Sequence, residues 1–140
     1  AVIPRIIIQC LNKKNNKIEL GNLKPTREFN FVEDVCESYF QIMNNRNCVG
    51  EVVNVGSNTN ISILNLANKI KKLLNSKKII RQKKNIMRPT NSEVDNLRSN
   101  NNKIKKLSKW KPKKSLAQGL KITIEWYRKN LKNYSNKYTV

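Results

Sequence analysis

The sequence predicts an α/β fold in which helices cover a small sheet, and three observations lead to it. Apolar residues recur at helical spacing in several segments. Short runs with strand-like alternation, bounded by Gly, Asn or Pro, lie between them. One such run, residues 51–55 (Glu-Val-Val-Asn-Val), is apolar on both faces, as strands inside helix-covered parallel sheets are.

Taken in chain order, Pro4 suits a first helical turn, and Ile3, Ile6, Ile7, Cys10 and Leu11 form a stripe at i, i+3, i+4, i+7 and i+8. A helix over residues 3–12 follows. Residues 12–16 are a polar turn, 17–20 alternate as a strand, and 21–26 carry the loop chemistry of Gly21, Asn22 and Pro25. Residues 27–32 alternate again. Asp34 is then placed to cap a helix with Val35, Tyr39, Ile42 and Met43 on one face, ending near Asn44 and Asn45. The run 51–55, between Gly50 and Gly56, reads as a strand that needs neighbours on both sides. Asn60 or Ser62 caps a helix striped with Ile63, Leu66, Ala67, Ile70, Leu73 and Leu74, with Lys69, Lys71 and Lys72 largely outside the stripe. Residues 78–81 form a short strand, 83–91 a polar loop, and 102–107 a second short helix. Ser115 and Gln118 make a capping box for a last helix striped with Leu116, Leu120, Thr123, Ile124, Tyr127 and Leu131. The order is αββαβαβαα without internal repeat. It reads as one domain over residues 1–131 and a polar tail over 132–140.

The 140 residues, 38% of them hydrophobic, support one modest core. The 29 Lys and Arg against 9 Asp and Glu leave a formal charge of +20, which favours a polyanionic partner. The excess is mostly Lys, spread along the chain with abundant Asn and Ile, and AT-rich codons would raise all three together. That account outweighs nucleic-acid binding. The longest aliphatic run, Ile6-Ile7-Ile8, is far short of a membrane helix. The opening Ala-Val-Ile-Pro has neither an initiator Met nor a signal-peptide pattern, so the expectation is a cytoplasmic protein with a cut end. Cys10, Cys36 and Cys48 have no Cys-x-x-Cys spacing and read as buried thiols. There is no histidine, which excludes Ser-His-Asp and Cys-His chemistry and His-ligated metals for this chain taken alone.

Four patterns occur in one order: residues 21–35 (Gly-Asn-Leu-Lys-Pro-Thr-Arg-Glu-Phe-Asn-Phe-Val-Glu-Asp-Val), residues 50–57 (Gly-Glu-Val-Val-Asn-Val-Gly-Ser), residues 87–95 (Met-Arg-Pro-Thr-Asn-Ser-Glu-Val-Asp), and Trp110-Lys111-Pro112 followed by Ser115-Leu116, Gly119-Leu120 and Glu125-Trp126-Tyr127. Together they resemble the C-terminal, substrate-binding portion of the Rossmann-type extended short-chain dehydrogenases of the NAD-dependent nucleotide-sugar epimerase/dehydratase family. The details look most like 4,6-dehydratases, with 4-epimerases as near neighbours. The resemblance implies oxidation of the sugar at C4 by bound NAD, loss of water across C5 and C6, and return of the hydride to C6. It also implies a nucleotide-diphosphate sugar as substrate, a homodimer at full length, and a role in polysaccharide biosynthesis. No specific nucleic acid and no membrane are expected. Asn100 in place of Asp, Lys109 in place of Gly, and Glu28 in place of Asp depart from the family pattern.

A nucleotide diphosphate needs fixed cations, and the planar fork of arginine suits phosphate oxygens. Arg27 and Arg88 fall in the family motifs as the phosphate clamp; the alternative for each is a solvated surface arginine. Glu93 stands where relatives place an acid on the ribose, or is a loop charge. Asn54, polar in an apolar run, either bonds local backbone or reaches substrate. Arg5, beside Pro4, is a phosphate ligand or a solvated first-turn residue. Asp34 reads as a cap, and Trp110, Trp126 and Tyr127 as packing residues. The chain carries no Gly-x-x-Gly-x-x-Gly loop for the NAD pyrophosphate and no Tyr-x-x-x-Lys pair. No catalytic, cofactor-binding or metal residues are therefore expected in it, and NAD would be held by a missing N-terminal part. The rival reading from another class is a basic nucleic-acid-binding module, resting on the Arg81-Gln82-Lys83-Lys84 and 109–114 clusters.

Overall fold

The structure, a computed structural model, describes residues 1–87, 89 and 92–133. Its elements are α1 (Val2–Leu11), β1 (Lys17–Leu20), β2 (Thr26–Arg27), α2 (Val32–Met43), β3 (Ile61–Ser62), α3 (Ile63–Leu73), β4 (Ile79–Gln82), α4 (Asn102–Ser108) and α5 (Leu116–Asn130). Short 3₁₀ turns lie at Arg46–Cys48, Lys84–Ile86 and Leu131–Asn133. The order αββαβαβαα is the expected one, but its third strand is not the expected segment. β2 pairs with β3, and β1 with β4, in two separate two-stranded sheets. The described residues gather in two compact units, one holding those of 1–25, 62–95 and 120–133, the other 26–61 and 96–119.

The first unit is built on the parallel pair β1·β4, in register from Lys17 opposite Ile79 to Leu20 opposite Gln82. Parallel strands need a crossover, and α3 lies in sequence between them. Ile18 and Leu20 of β1, Ile6 and Ile7 of α1, and Ile63, Leu66, Ala67 and Ile70 of α3 are all buried, as the stripes require. Leu120, Ile124 and Tyr127 of α5 join this buried set. Ser62 caps α3, its side chain accepting a hydrogen bond from the Asn65 amide at 3.2 Å. At the other end Asn75 turns left-handed at φ 51°, so that Asn75 and Ser76 donate back to the Lys72 and Lys71 carbonyls. Gln9 completes the edge of β1 as a strand would: its side-chain amide donates to the Glu19 carbonyl at 3.1 Å and its oxygen accepts the Glu19 amide at 2.7 Å. Lys78 Nζ donates to the Gln9 and Asn12 carbonyls at the end of α1, where a cation also meets the helix dipole.

In the second unit Trp110, 2% exposed, is the largest buried side chain, with Ile104 and Cys48 buried as well. Its indole N–H donates to the Asp34 carbonyl at 3.1 Å, satisfying the one polar atom of the ring. Asp34 is buried and accepts the Lys114 amide on Oδ2 at 2.9 Å. This corrects the expected cap: α2 begins at Val32 with Phe31 as its cap residue, and Asp34 sits within the first turn, tying the helix to the chain before α5. The Ser115–Gln118 capping box is present, with bonds of 2.8 Å and 3.3 Å in the two directions.

Four further expectations change. Of the alternating run 27–32 only Arg27 is strand, in β2 with Thr26, and Val32 already belongs to α2. Residues 51–55 form no strand among the described residues; the Glu51 amide donates to the Cys48 carbonyl at 3.2 Å in a turn rather than to a ladder, and Val52 is 84% exposed. Periodicity marks what a segment can bury, and only a ladder partner makes it a strand. Trp126 is half exposed, set edge-on to Tyr127 at 5.1 Å, and of the three thiols only Cys48 is buried, Cys36 lying exposed on α2. Cys10 is half buried, and burial pushes its thiol pKa up despite Ser76, Lys78 and Lys71 nearby, which disfavours the thiolate.

Candidate functional site

Of the residues singled out in the sequence, Arg27 and Asn54 belong to the second unit and Arg5 and Glu93 to the first. Arg88 lies outside the described residues. Arg5 is half buried in the first turn of α1, and Glu93 is half buried in the loop after β4. Asn54 is exposed, which removes the desolvation cost that made it notable. It lines an open cleft of ≈ 540 Å³ together with Asn30, Val35, Tyr39, Ile42 and the neighbouring residues Glu51, Val53 and Val55. Arg27 is not among the lining residues.

Arg27 is half buried, and its Nη1 donates to the carbonyl of its own neighbour Thr26 at 2.8 Å. That carbonyl also accepts the Leu97 amide at 3.1 Å, across a parallel bridge between Thr26 and Asn96. Thr26 Oγ1 donates to Asn96 Oδ1 at 2.8 Å and accepts from Asn60 Nδ2 at 3.1 Å.

On the other side of Arg27 the Glu28 carboxylate collects donors from two remote segments. Ser57 Oγ and the Asn58 amide reach Oε1 at 2.9 Å and 2.8 Å, and the Ser99 amide reaches Oε2 at 2.5 Å. Burial alone would raise the pKa of this carboxyl; the hydrogen bonds from Ser99, Ser57 and Asn58 outweigh it and hold the group below its ordinary value. Gly56 makes the approach possible. A Cβ there would stand 2.1 Å from Ser99 Oγ and 2.5 Å from Glu28 Oε1. Asn101, fully buried, donates from Nδ2 to the Gly56 carbonyl at 2.6 Å. The sequence marked Glu28 only as a departure from a family pattern; its partners lie 29 to 71 residues away and leave no local signal.

A second cleft, ≈ 400 Å³, is lined by Phe29, Phe31, Ser57, Thr59, Lys113 and Lys114 among others, with the buried Asp34 beneath. Its lysines belong to the basic run 109–114, whose members outside the buried Trp110 and half-buried Pro112 are exposed. Among the described residues no group of Cys, Asp and Glu could hold a metal ion, and no helix is long and apolar enough to cross a membrane.

Residues 1–123 match the family model described as GDP-mannose 4,6 dehydratase. The dTDP-D-glucose 4,6-dehydratase of Bos taurus is 33% identical over 141 residues, spanning 96% of this chain and 38% of the relative. Among solved structures, an epimerase from Methanothermobacter thermautotrophicus superposes with a TM-score of 0.84 at 25% identity, over 95% of this chain and 38% of that one. A dTDP-glucose 4,6-dehydratase from Bacillus anthracis, in complex with NAD, gives 0.76 at 27% identity, over 94% and 40%. The chain thus spans about two fifths of the length of the proteins it resembles.

Proposed function

The chain belongs to the GDP-mannose 4,6 dehydratase family of nucleotide-sugar epimerases and dehydratases, and from that premise we propose that it is the C-terminal, substrate-holding part of an NAD-dependent nucleotide-sugar 4,6-dehydratase. Its role is to bind the diphosphate of the nucleotide sugar, with Arg27 and Arg88 as the cations, Glu93 at the ribose, and Asn54 and Arg5 as further polar contacts. Full-length protein would oxidise the sugar at C4, eliminate water across C5 and C6, and return the hydride to C6, acting as a homodimer. The observation that carries this reading is the bracing of Arg27: an arginine whose two neighbours are both tied to remote segments presents its charge from a rigid support, as a phosphate contact needs.

Two features support assigning this chain to the part without the cofactor. Residues 51–55 have the composition of a sheet strand and no ladder among the described residues, as expected where partner strands belong to other polypeptide. The residues present also do not fit NAD. Gly21, Gly50, Gly56 and Gly119 lie in four separate segments, and no strand, glycine-rich turn and helix follow one another around them. No chemical step is therefore assigned to this chain, and NAD is placed on the rest of the protein. A 4-epimerase is the second reading, favoured by the likeness to the Methanothermobacter epimerase.

Calorimetric titration of the chain with UDP and dTDP tests the reading. Binding should occur without turnover of the corresponding nucleotide sugars, and Arg27→Ala should weaken it by roughly 10- to 100-fold, the range expected for lost hydrogen bonds to a charged group. Unchanged affinity in Arg27→Ala, or dehydration by the chain alone, would overturn it.

A further inference from the structure

We propose that Thr26 and Glu28 are positioning residues, holding Arg27 in the one backbone setting from which it meets a phosphate of the nucleotide sugar. This rests on the reading of Arg27 as a phosphate ligand. The same two remote segments grip the chain on both sides of Arg27. Residues 57–60 supply Ser57 and Asn58 to Glu28 and Asn60 to Thr26. Residues 96–99 supply Asn96 and the Leu97 amide to Thr26 and the Ser99 amide to Glu28. Five of these six bonds use a side chain of Thr26 or Glu28, so residue identity sets the brace. Backbone pairing alone would not.

The identity of residue 28 matters for a second reason. A carboxylate next to a cation meant for phosphate would ordinarily oppose anion binding by like-charge repulsion. Here three donors from other segments engage both of its oxygens and stabilise the negative charge where it sits, so that the carboxylate serves as an anchor. Gly56 belongs to the same device, since any side chain there would push into Ser99 Oγ and Glu28 Oε1. Asn58, at φ 60°, and the buried Asn101 set the turn that delivers the 57–58 donors. Fixing a charged group before the ligand arrives removes an ordering cost from binding.

The test compares Arg27→Ala, Glu28→Gln and Thr26→Val in the same 140-residue chain, titrated with UDP, with amide hydrogen exchange recorded on each. Glu28→Gln keeps the side-chain size but not the charge that holds three donors. Thr26→Val keeps a β-branched shape and the backbone bridge, and retains folding should Glu28→Gln lose it. Positioning predicts a loss of about 3- to 10-fold in affinity for either variant, smaller than for Arg27→Ala, with faster exchange confined to residues 26–30 and 56–60. Faster exchange with unchanged UDP affinity would overturn the positioning role and leave Arg27 as the ligand. If Arg27→Ala binds UDP as the unaltered chain does, the phosphate reading fails and the positioning role with it.

Discussion

Helices α2 and α3 carry the same kind of apolar stripe, and they end in opposite environments. In α3 the stripe Ile63, Leu66, Ala67 and Ile70 is buried within the first unit. In α2, part of the second unit, Val32, Tyr39, Phe40 and Met43 are 60–84% exposed, and only Asp34 and Ser38 are buried. The fully buried residues of α2 are thus polar, Asp34 receiving the Lys114 amide and Ser38 Oγ donating to the Val35 carbonyl at 2.6 Å, while Val35 and Ile42 of its stripe are half-buried. None of the large apolar residues of α2 is fully buried. Periodicity states that a face is apolar; it does not state that a partner is present.

The largest test of that contrast is Leu66→Ala in α3, which should destabilise the chain by about 2–5 kcal/mol in urea denaturation, the range for a leucine removed from a packed core. A loss under 1 kcal/mol would mean that the α3 face is not packed as described. A smaller effect concerns the second unit, where hydrogen bonds replace much of the apolar packing. Glu28 has its pKa lowered on folding from an ordinary value of 4.5, so its contribution is present above that pH and is lost as pH falls through the folded value. Acid titration followed by circular dichroism should therefore show Glu28→Gln flattening the stability decline below pH 4.5, with no change in slope near neutrality. The smallest expected effect is Phe40→Ser on α2: 67% exposed, its removal should shift stability by no more than about 0.5 kcal/mol. A shift as large as that of Leu66→Ala would show that the outer face of α2 is covered in solution.

The helices were legible because their signals are local. The Ser62 cap, the Ser115–Gln118 box and the stripes of α1, α3 and α5 each depend on residues within a turn or two of one another. Lys17–Leu20 and its mate were legible for a similar reason, as short apolar alternations between turns. The candidate site was legible only in part. Arg27 stood out through its motif, but the role of Glu28 and the need for Gly56 did not. Ser99 is 71 residues from Glu28, and no pattern along the chain links them.

What the sequence by itself determined, then, is where this chain can be helical and which faces are apolar, because capping, rotamer preference and 3.6-residue periodicity act over a few residues. Tertiary structure decided everything that needs a partner remote along the chain. It left residues 51–55 without a ladder and Tyr39 and Met43 of the α2 stripe exposed, moved Asp34 from a cap to a tie with Lys114, and closed two distant segments around Thr26-Arg27-Glu28. A strand, a buried carboxylate and a fixed arginine are each properties of an encounter between segments, and a linear sequence specifies the groups that meet without stating which ones do.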